Sequence, residues 1–112
     1  MERELLVERA DGVALLTMNR PEQLNALGGD MLALLLEALQ EAATDPEVGC
    51  VVLTGAGRGF SAGGDMKARA AGLRPPSAGP EGFMDRLRSR MEASRLLHEM
   101  PKPTIAMLNG VA

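Results

Sequence analysis

Residues 50–67 read Cys50-Val51-Val52-Leu53-Thr54-Gly55-Ala56-Gly57-Arg58-Gly59-Phe60-Ser61-Ala62-Gly63-Gly64-Asp65-Met66-Lys67. The stretch opens as an apolar run rich in β-branched residues, which suits a strand buried on both faces. It crosses five glycines and resumes at Asp65–Ala70 with helix-forming composition. Glycines between a strand and a helix let the backbone approach a neighbour closely. The N–H groups opening such a helix point into that space and suit an anion or a developing oxyanion. Gly55-Ala56-Gly57 begins like a dinucleotide fingerprint, but its third glycine would fall at Phe60, so the match fails. No Gly-Lys-Ser/Thr follows, which excludes a P-loop.

Working outward, Glu4–Arg9 and Val13–Met18 read as two strands around Ala10-Asp11-Gly12, and Asp-Gly is a strong hairpin signal. Pro21 ends the second strand, and residues 20–28 form a loop. A helix is expected over Asp30–Ala43, with Met31, Leu34, Leu35, Ala38, Leu39 and Ala42 on one arc and Asp30, Glu37, Gln40 and Glu41 on the other. Asp30 suits the positive end of its dipole, and Asp45-Pro46 stops it, because a residue before proline is pushed out of helical geometry. Val48–Thr54 is the third strand, followed by the glycine loop and a short helix at 65–71. Gly72–Gly82 has the composition of a surface loop. A helix over Phe83–Glu99 changes apolar face midway, from Phe83, Met84, Leu87 and Met91 to Ala93, Leu96, Leu97 and Met100, which implies a bend or burial on two sides. Pro101 and Pro103 end it. Thr104–Leu108 is a fourth strand and Asn109-Gly110 a turn. Strands separated by helices point to an α/β arrangement with parallel pairing, preceded by a hairpin.

At 112 residues the chain suits one domain with a modest core, and 46% apolar content separates it from disordered polar chains. There are two Phe and no Trp or Tyr, so Leu, Val, Ala and eight Met must fill that core. The charged start, with no apolar segment behind it, predicts no secretory signal peptide, and no apolar run is long enough to cross a membrane. Cys50 is the only cysteine, which excludes an internal disulfide, fits a cytoplasmic protein and reads as a small core hydrophobe. Charge is uneven: 3 basic and 10 acidic residues precede Arg58, whereas 9 basic and 5 acidic residues run from Arg58 onward. A basic second half suits a phosphorylated ligand, or is simply a solvated set of helix faces. The acidic total and scarce aromatics argue against nucleic-acid binding.

Phe60-Ser61-Ala62-Gly63-Gly64-Asp65-Met66-Lys67 resembles the acyl-CoA loop of the enoyl-CoA hydratase/isomerase (crotonase) family. Three more segments resemble that family in order: Leu16–Pro21 with Asn25-Ala26-Leu27, Val51–Gly55, and Lys102–Ala106 with Asn109–Ala112. The resemblance implies the first part of a crotonase-like ββα spiral, left incomplete as a single partial domain over residues 1–112, truncated at its C-terminal end. It implies that the thioester oxygen of an acyl-CoA sits between two backbone N–H groups that stabilise an enolate. The first donor falls at Gly64. Ala62, Asp65, Met66 and Lys67 match positions lining the coenzyme A channel, and Leu24 and Ala26 match positions beside the pantetheine and adenine. Coenzyme A is then part of the substrate, with no separate cofactor and no metal, and the parent enzymes form trimers or hexamers.

Each assignment has a plainer counterpart. The glycine-rich segment taken alone is a tight structural turn. Asp65 suits loop fixing or capping better than general base chemistry, and Lys67 meets a phosphate or water. Ser94 and His98 share a helix face at i, i+4 without an evident partner acid, so a packed or solvated histidine is expected. The second oxyanion donor and the acid/base carboxylates of hydratases match positions at or beyond the last residues here. The chain alone is therefore expected not to hydrate an enoyl-CoA, and to associate through its apolar edge at Thr104–Leu108. The alternative function is a non-catalytic binding or assembly module.

Overall fold

The computed structural model describes residues 3–28, 30–63 and 80–112, with the backbone alone for 80–87, 89 and 90. Strands β1 (Leu5–Ala10) and β2 (Val13–Met18) form an antiparallel hairpin. Its two-residue connection holds Asp11 at φ 52° and Gly12 at φ 80°, the positive pair that a type I′ turn requires. Strand β3 (Cys50–Gly55) runs parallel to β2, and β4 (Thr104–Ala106) runs parallel to β3, giving the sheet order β1-β2-β3-β4. This is the expected α/β arrangement.

Helix α1 (Met31–Thr44) crosses from β2 to β3. Met31, Leu35, Ala38, Leu39 and Ala42 are buried on its core face, and Leu34, placed on the same arc by its spacing, is half-buried. They meet Leu5, Ala14, Leu16, Met18, Val51 and Leu53 from one face of the sheet. Asp30 occupies the N-cap, yet its side chain makes no capping bond. Glu4 Oε2 instead accepts the Asp30 N–H at 2.6 Å, so the acidic group at this helix start comes from β1's approach. At the other end Asp45 takes extended geometry (φ −78°, ψ 116°) before Pro46, as the proline demands. Lys102 Nζ donates to the carbonyls of Ala42 (2.6 Å) and Asp45 (2.5 Å), a cation closing the negative end of α1.

Helix α2 (Pro80–Glu99) packs against α1. It begins three residues before the expected Phe83, because a proline is tolerated in a first turn whose N–H groups have no intrahelical acceptor. The short helix expected at 65–71, and residues 72–79 of the expected loop, lie outside the described residues. Ala93 and Met100 are buried and Leu96 and Leu97 pack against the core, whereas Met91 is exposed. Met91 therefore does not continue the stripe that meets the core later, and the side chains of Phe83, Met84 and Leu87 lie outside the described residues.

Three strand expectations need correction. β3 is not buried on both faces: Val51 and Leu53 are buried, while Cys50 and Val52 on the opposite face are only half-buried. Cys50 is accordingly a half-exposed free thiol and not a core hydrophobe. β4 covers three residues and not five, although the Met107 N–H still reaches the Leu53 carbonyl at 2.8 Å. Among the described residues no helix is long and apolar enough to cross a membrane.

Candidate acyl-CoA site

The C-terminal end of β3 carries the site. Gly55, Gly57, Gly59 and Gly63 let residues 55–63 fold back on themselves and against the loop after β2. A Cβ at Gly55 would stand 2.5 Å from the Phe60 carbonyl oxygen and 2.6 Å from that of Gly59. No side chain fits there without moving backbone. Gly63 has φ +86°, and no described residue comes within 4 Å of its missing Cβ, so its glycine answers a backbone conformation.

The loop after β2 holds a 3-10 turn at Pro21–Gln23, followed by Leu24 and Asn25 at φ 51° and 55°. Asn25 tolerates this left-handed geometry better than most residues, and its side chain is fully buried. A buried amide is costly unless its hydrogen bonds are made. Here Oδ1 accepts the Arg20 N–H at 2.8 Å, and Nδ2 donates to the carbonyls of Ala56 (3.0 Å) and Gly59 (2.9 Å). Arg20 braces the same loop, its Nη1 donating to the Ala26 carbonyl at 2.8 Å while Nε pairs with Glu4 at 3.4 Å.

A seam of main-chain bonds joins this loop to the glycine segment. The Ala62 N–H donates to the Leu24 carbonyl at 2.9 Å, and the Leu27 N–H to the Gly63 carbonyl at 2.6 Å. Ser61 Oγ donates to the Asn25 carbonyl at 2.9 Å and accepts the Gly63 N–H at 3.2 Å. The turn after β4 reaches the segment from the other side. Asn109 Oδ1 accepts the Gly55 N–H at 3.2 Å, and Nδ2 donates to the carbonyls of Gly57 (2.8 Å) and Gly59 (3.1 Å). Gly110 lies so close that an added Cβ would stand 2.0 Å from the Arg58 carbonyl oxygen. The Phe60 N–H then bonds the Val111 carbonyl at 2.7 Å.

The fold thus brings Leu24, Ala26 and Ala62 together: Leu24 is half-buried, Ala26 buried and Ala62 exposed along one seam. Gly64, Asp65, Met66 and Lys67 lie outside the described residues. Asn25 and Asn109 stood inside the sequence motifs without a role, and only their hydrogen bonds supply one. A buried polar residue is the signal that marks Asn25, and burial is not readable from residue type. Ser94 and His98 share an exposed face of α2 with Met91, Arg95 and Glu99. Among the described residues no group of three His, Cys, Asp or Glu side chains is placed to hold a metal ion.

A parallel sheet fed by a hairpin, with a glycine loop after β3 held between two other loops, places the chain in a class of α/β proteins that build sites at strand C-termini. The enoyl-CoA hydratase/isomerase family profile matches residues 13–112. The chain belongs to that family. It is 43% identical over 101 residues to the 1,2-epoxyphenylacetyl-CoA isomerase of Escherichia coli K12, covering 90% of this chain and 38% of that enzyme. It is 41% identical over 108 residues to the hydroxycinnamoyl-CoA hydratase-lyase of Pseudomonas fluorescens, covering 93% and 37%. A crystal structure of an enoyl-CoA hydratase/isomerase from Xanthobacter autotrophicus Py2 superposes with a TM-score of 0.85 at 36% identity, over 98% of this chain and 40% of that one. The chain therefore spans about two fifths of the length of these relatives.

Proposed function

We propose that this chain supplies the acyl-CoA-binding part of an enoyl-CoA hydratase/isomerase-type enzyme, stabilising a thioester enolate through a backbone oxyanion hole. The Gly64 N–H is one donor of that hole. Leu24, Ala26, Ala62, Asp65, Met66 and Lys67 line the path of the acyl-CoA. The observation that carries this reading is the seam between residues 24–27 and 61–63, which lays two of the loops named by the family resemblance side by side. The relatives named above are described as enzymes of coenzyme A thioesters, which supports the substrate class. Coenzyme A enters as part of the substrate, so the chemistry asks for no separate cofactor or metal. The working assembly is a cytoplasmic homo-oligomer.

The chemistry follows from charge. When the α carbon of a thioester loses a proton, or a nucleophile adds to the β carbon of a 2-enoyl thioester, negative charge grows on the carbonyl oxygen. An N–H held at that oxygen gains most when the charge is greatest, so it lowers the barrier more than it tightens substrate binding. Glycine serves well because the donor is main chain. In a catalytically competent protein carrying this sequence, Gly64→Pro deletes the donor, while Gly64→Ala keeps it. The proline variant is expected to turn over ~100-fold or more slowly than the alanine variant, with a smaller loss of coenzyme A binding. Circular dichroism checks that both are folded. If folded Gly64→Pro matched the Gly64→Ala rate, Gly64 would be a turn residue and nothing more.

A further inference from the structure

We propose that Asn25 and Asn109 are paired positioning residues: both donate to the Gly59 carbonyl, and together they set the backbone that runs through Gly63 into the oxyanion loop. The proposal rests on the oxyanion reading above and deepens it.

Both amides are spent entirely on main chain. Each makes three bonds, with Oδ1 accepting an N–H, from Arg20 for Asn25 and from Gly55 for Asn109. Each Nδ2 divides its two N–H groups between Gly59 and a second carbonyl, that of Ala56 for Asn25 and of Gly57 for Asn109. Residues 55, 56, 57 and 59 are thereby held from two sides by side chains 34 and 50 residues away from Gly59 in sequence. A carbonyl oxygen has two lone pairs, and here both are engaged by amides from different elements. The glycines make this possible: a Cβ on Gly55 would lie 2.7 Å from Asn25 Nδ2. Ser61 carries the constraint forward, because its Oγ bridges the Asn25 carbonyl and the Gly63 N–H.

A turn needing only to reverse direction would be served by its own backbone bonds. Five side-chain bonds to Gly55, Ala56, Gly57 and Gly59 fix the position of the backbone and not merely its direction. Preorganised donors act through placement, and a displacement of about 1 Å at a reacting centre costs on the order of 100-fold in rate. Because the two amides share one acceptor, loosening either removes one of the two bonds that fix the same carbonyl.

The test uses the full-length protein with Asn25→Asp, Asn109→Asp and the double variant. Each aspartate keeps the shape and the acceptor, and removes the donors to Gly59. The expected result is a fall in kcat of ~10–100-fold for each single variant, with acyl-CoA dissociation constants within about 3-fold of the parent. The double variant should lose about as much as the worse single, because a shared acceptor makes the effects non-additive. Asn109 is exposed, so its variant remains informative if the buried Asn25→Asp fails to fold. The proposal is overturned if folded Asn109→Asp keeps kcat within about 2-fold of the parent, if the losses fall on binding alone, or if the two losses multiply independently. The Gly64→Pro and Gly64→Ala pair reports separately: unchanged Asn variants beside a dead Gly64→Pro remove the positioning role and leave the oxyanion reading intact.

Discussion

At the scale of single residues, the glycines divide into two kinds with different expected costs. Gly55 is needed for space, since its missing Cβ would meet backbone oxygens at 2.5 and 2.6 Å. Gly63 is needed for its φ of +86°, with nothing among the described residues within 4 Å of the missing Cβ. Gly55→Ala should therefore lower unfolding free energy by at least ~1–3 kcal/mol, because neighbouring backbone must shift. Gly63→Ala should cost about 1 kcal/mol, the penalty of placing a Cβ in the left-handed region. Urea denaturation of both variants checks the order, and a larger loss at Gly63 would contradict it. The need for glycine in this segment was legible from the sequence. Which glycine serves space and which serves φ was not, because the carbonyls crowding Gly55 arrive only when the segment folds back.

At the scale of elements, α1 is held by its apolar face and by charges brought to its two ends. Leu39 is fully buried, so Leu39→Ala should cost ~2–5 kcal/mol. Lys102→Met should cost about 1–2 kcal/mol, since it removes two charge-assisted bonds from the last carbonyls of α1 while keeping the stem's apolar contact. Thermal melts with the Lys102→Arg variant alongside check this, the arginine retaining charge but not the point-like geometry. The exposed end of α2 offers a pH-dependent counterpart. Arg95 hydrogen-bonds and pairs with Glu92 and Glu99, which holds the Glu92 carboxyl below its usual range and the Arg95 guanidinium above its own. A carboxyl lowered in the folded state stabilises it at pH values above its unfolded value, and that help fades as pH falls through the folded value. Helicity of α2 should therefore decline as pH falls below the ordinary glutamate range, less steeply in Arg95→Ala, by a small amount because the pair is exposed to solvent. Circular dichroism against pH reads this directly.

At the scale of the whole molecule, the sheet has one face against the helices and another that the described residues leave partly exposed. By register, Leu6, Val13, Leu15, Cys50, Val52 and Ile105 share the second face. Ile105 is 52% exposed, Leu108 62% and Val111 77%, so the apolar surface continues past β4. Contiguous apolar surface beside an open strand edge favours association. The 112-residue polypeptide alone should sediment as oligomers, and Ile105→Lys with Leu108→Lys should shift it toward monomer. A sharp monomer boundary with cooperative melting of the unaltered polypeptide would count against this.

The sequence by itself determined the hairpin, the extent of β2 and nearly that of α1, the parallel order implied by alternating strands and helices, and the family through four ordered motifs. These follow from residue spacing, turn chemistry and proline, whose effects reach only a few positions along the chain. The tertiary structure alone decided that Glu4 serves the start of α1, that Lys102 closes its end, that one face of β3 stays half-open, and that Asn25 and Asn109 meet at the Gly59 carbonyl. Each of those contacts joins groups far apart in sequence. A hydrogen bond between residues 50 positions apart has no local signature; it exists only once β3 and β4 lie side by side and bring the two turns together.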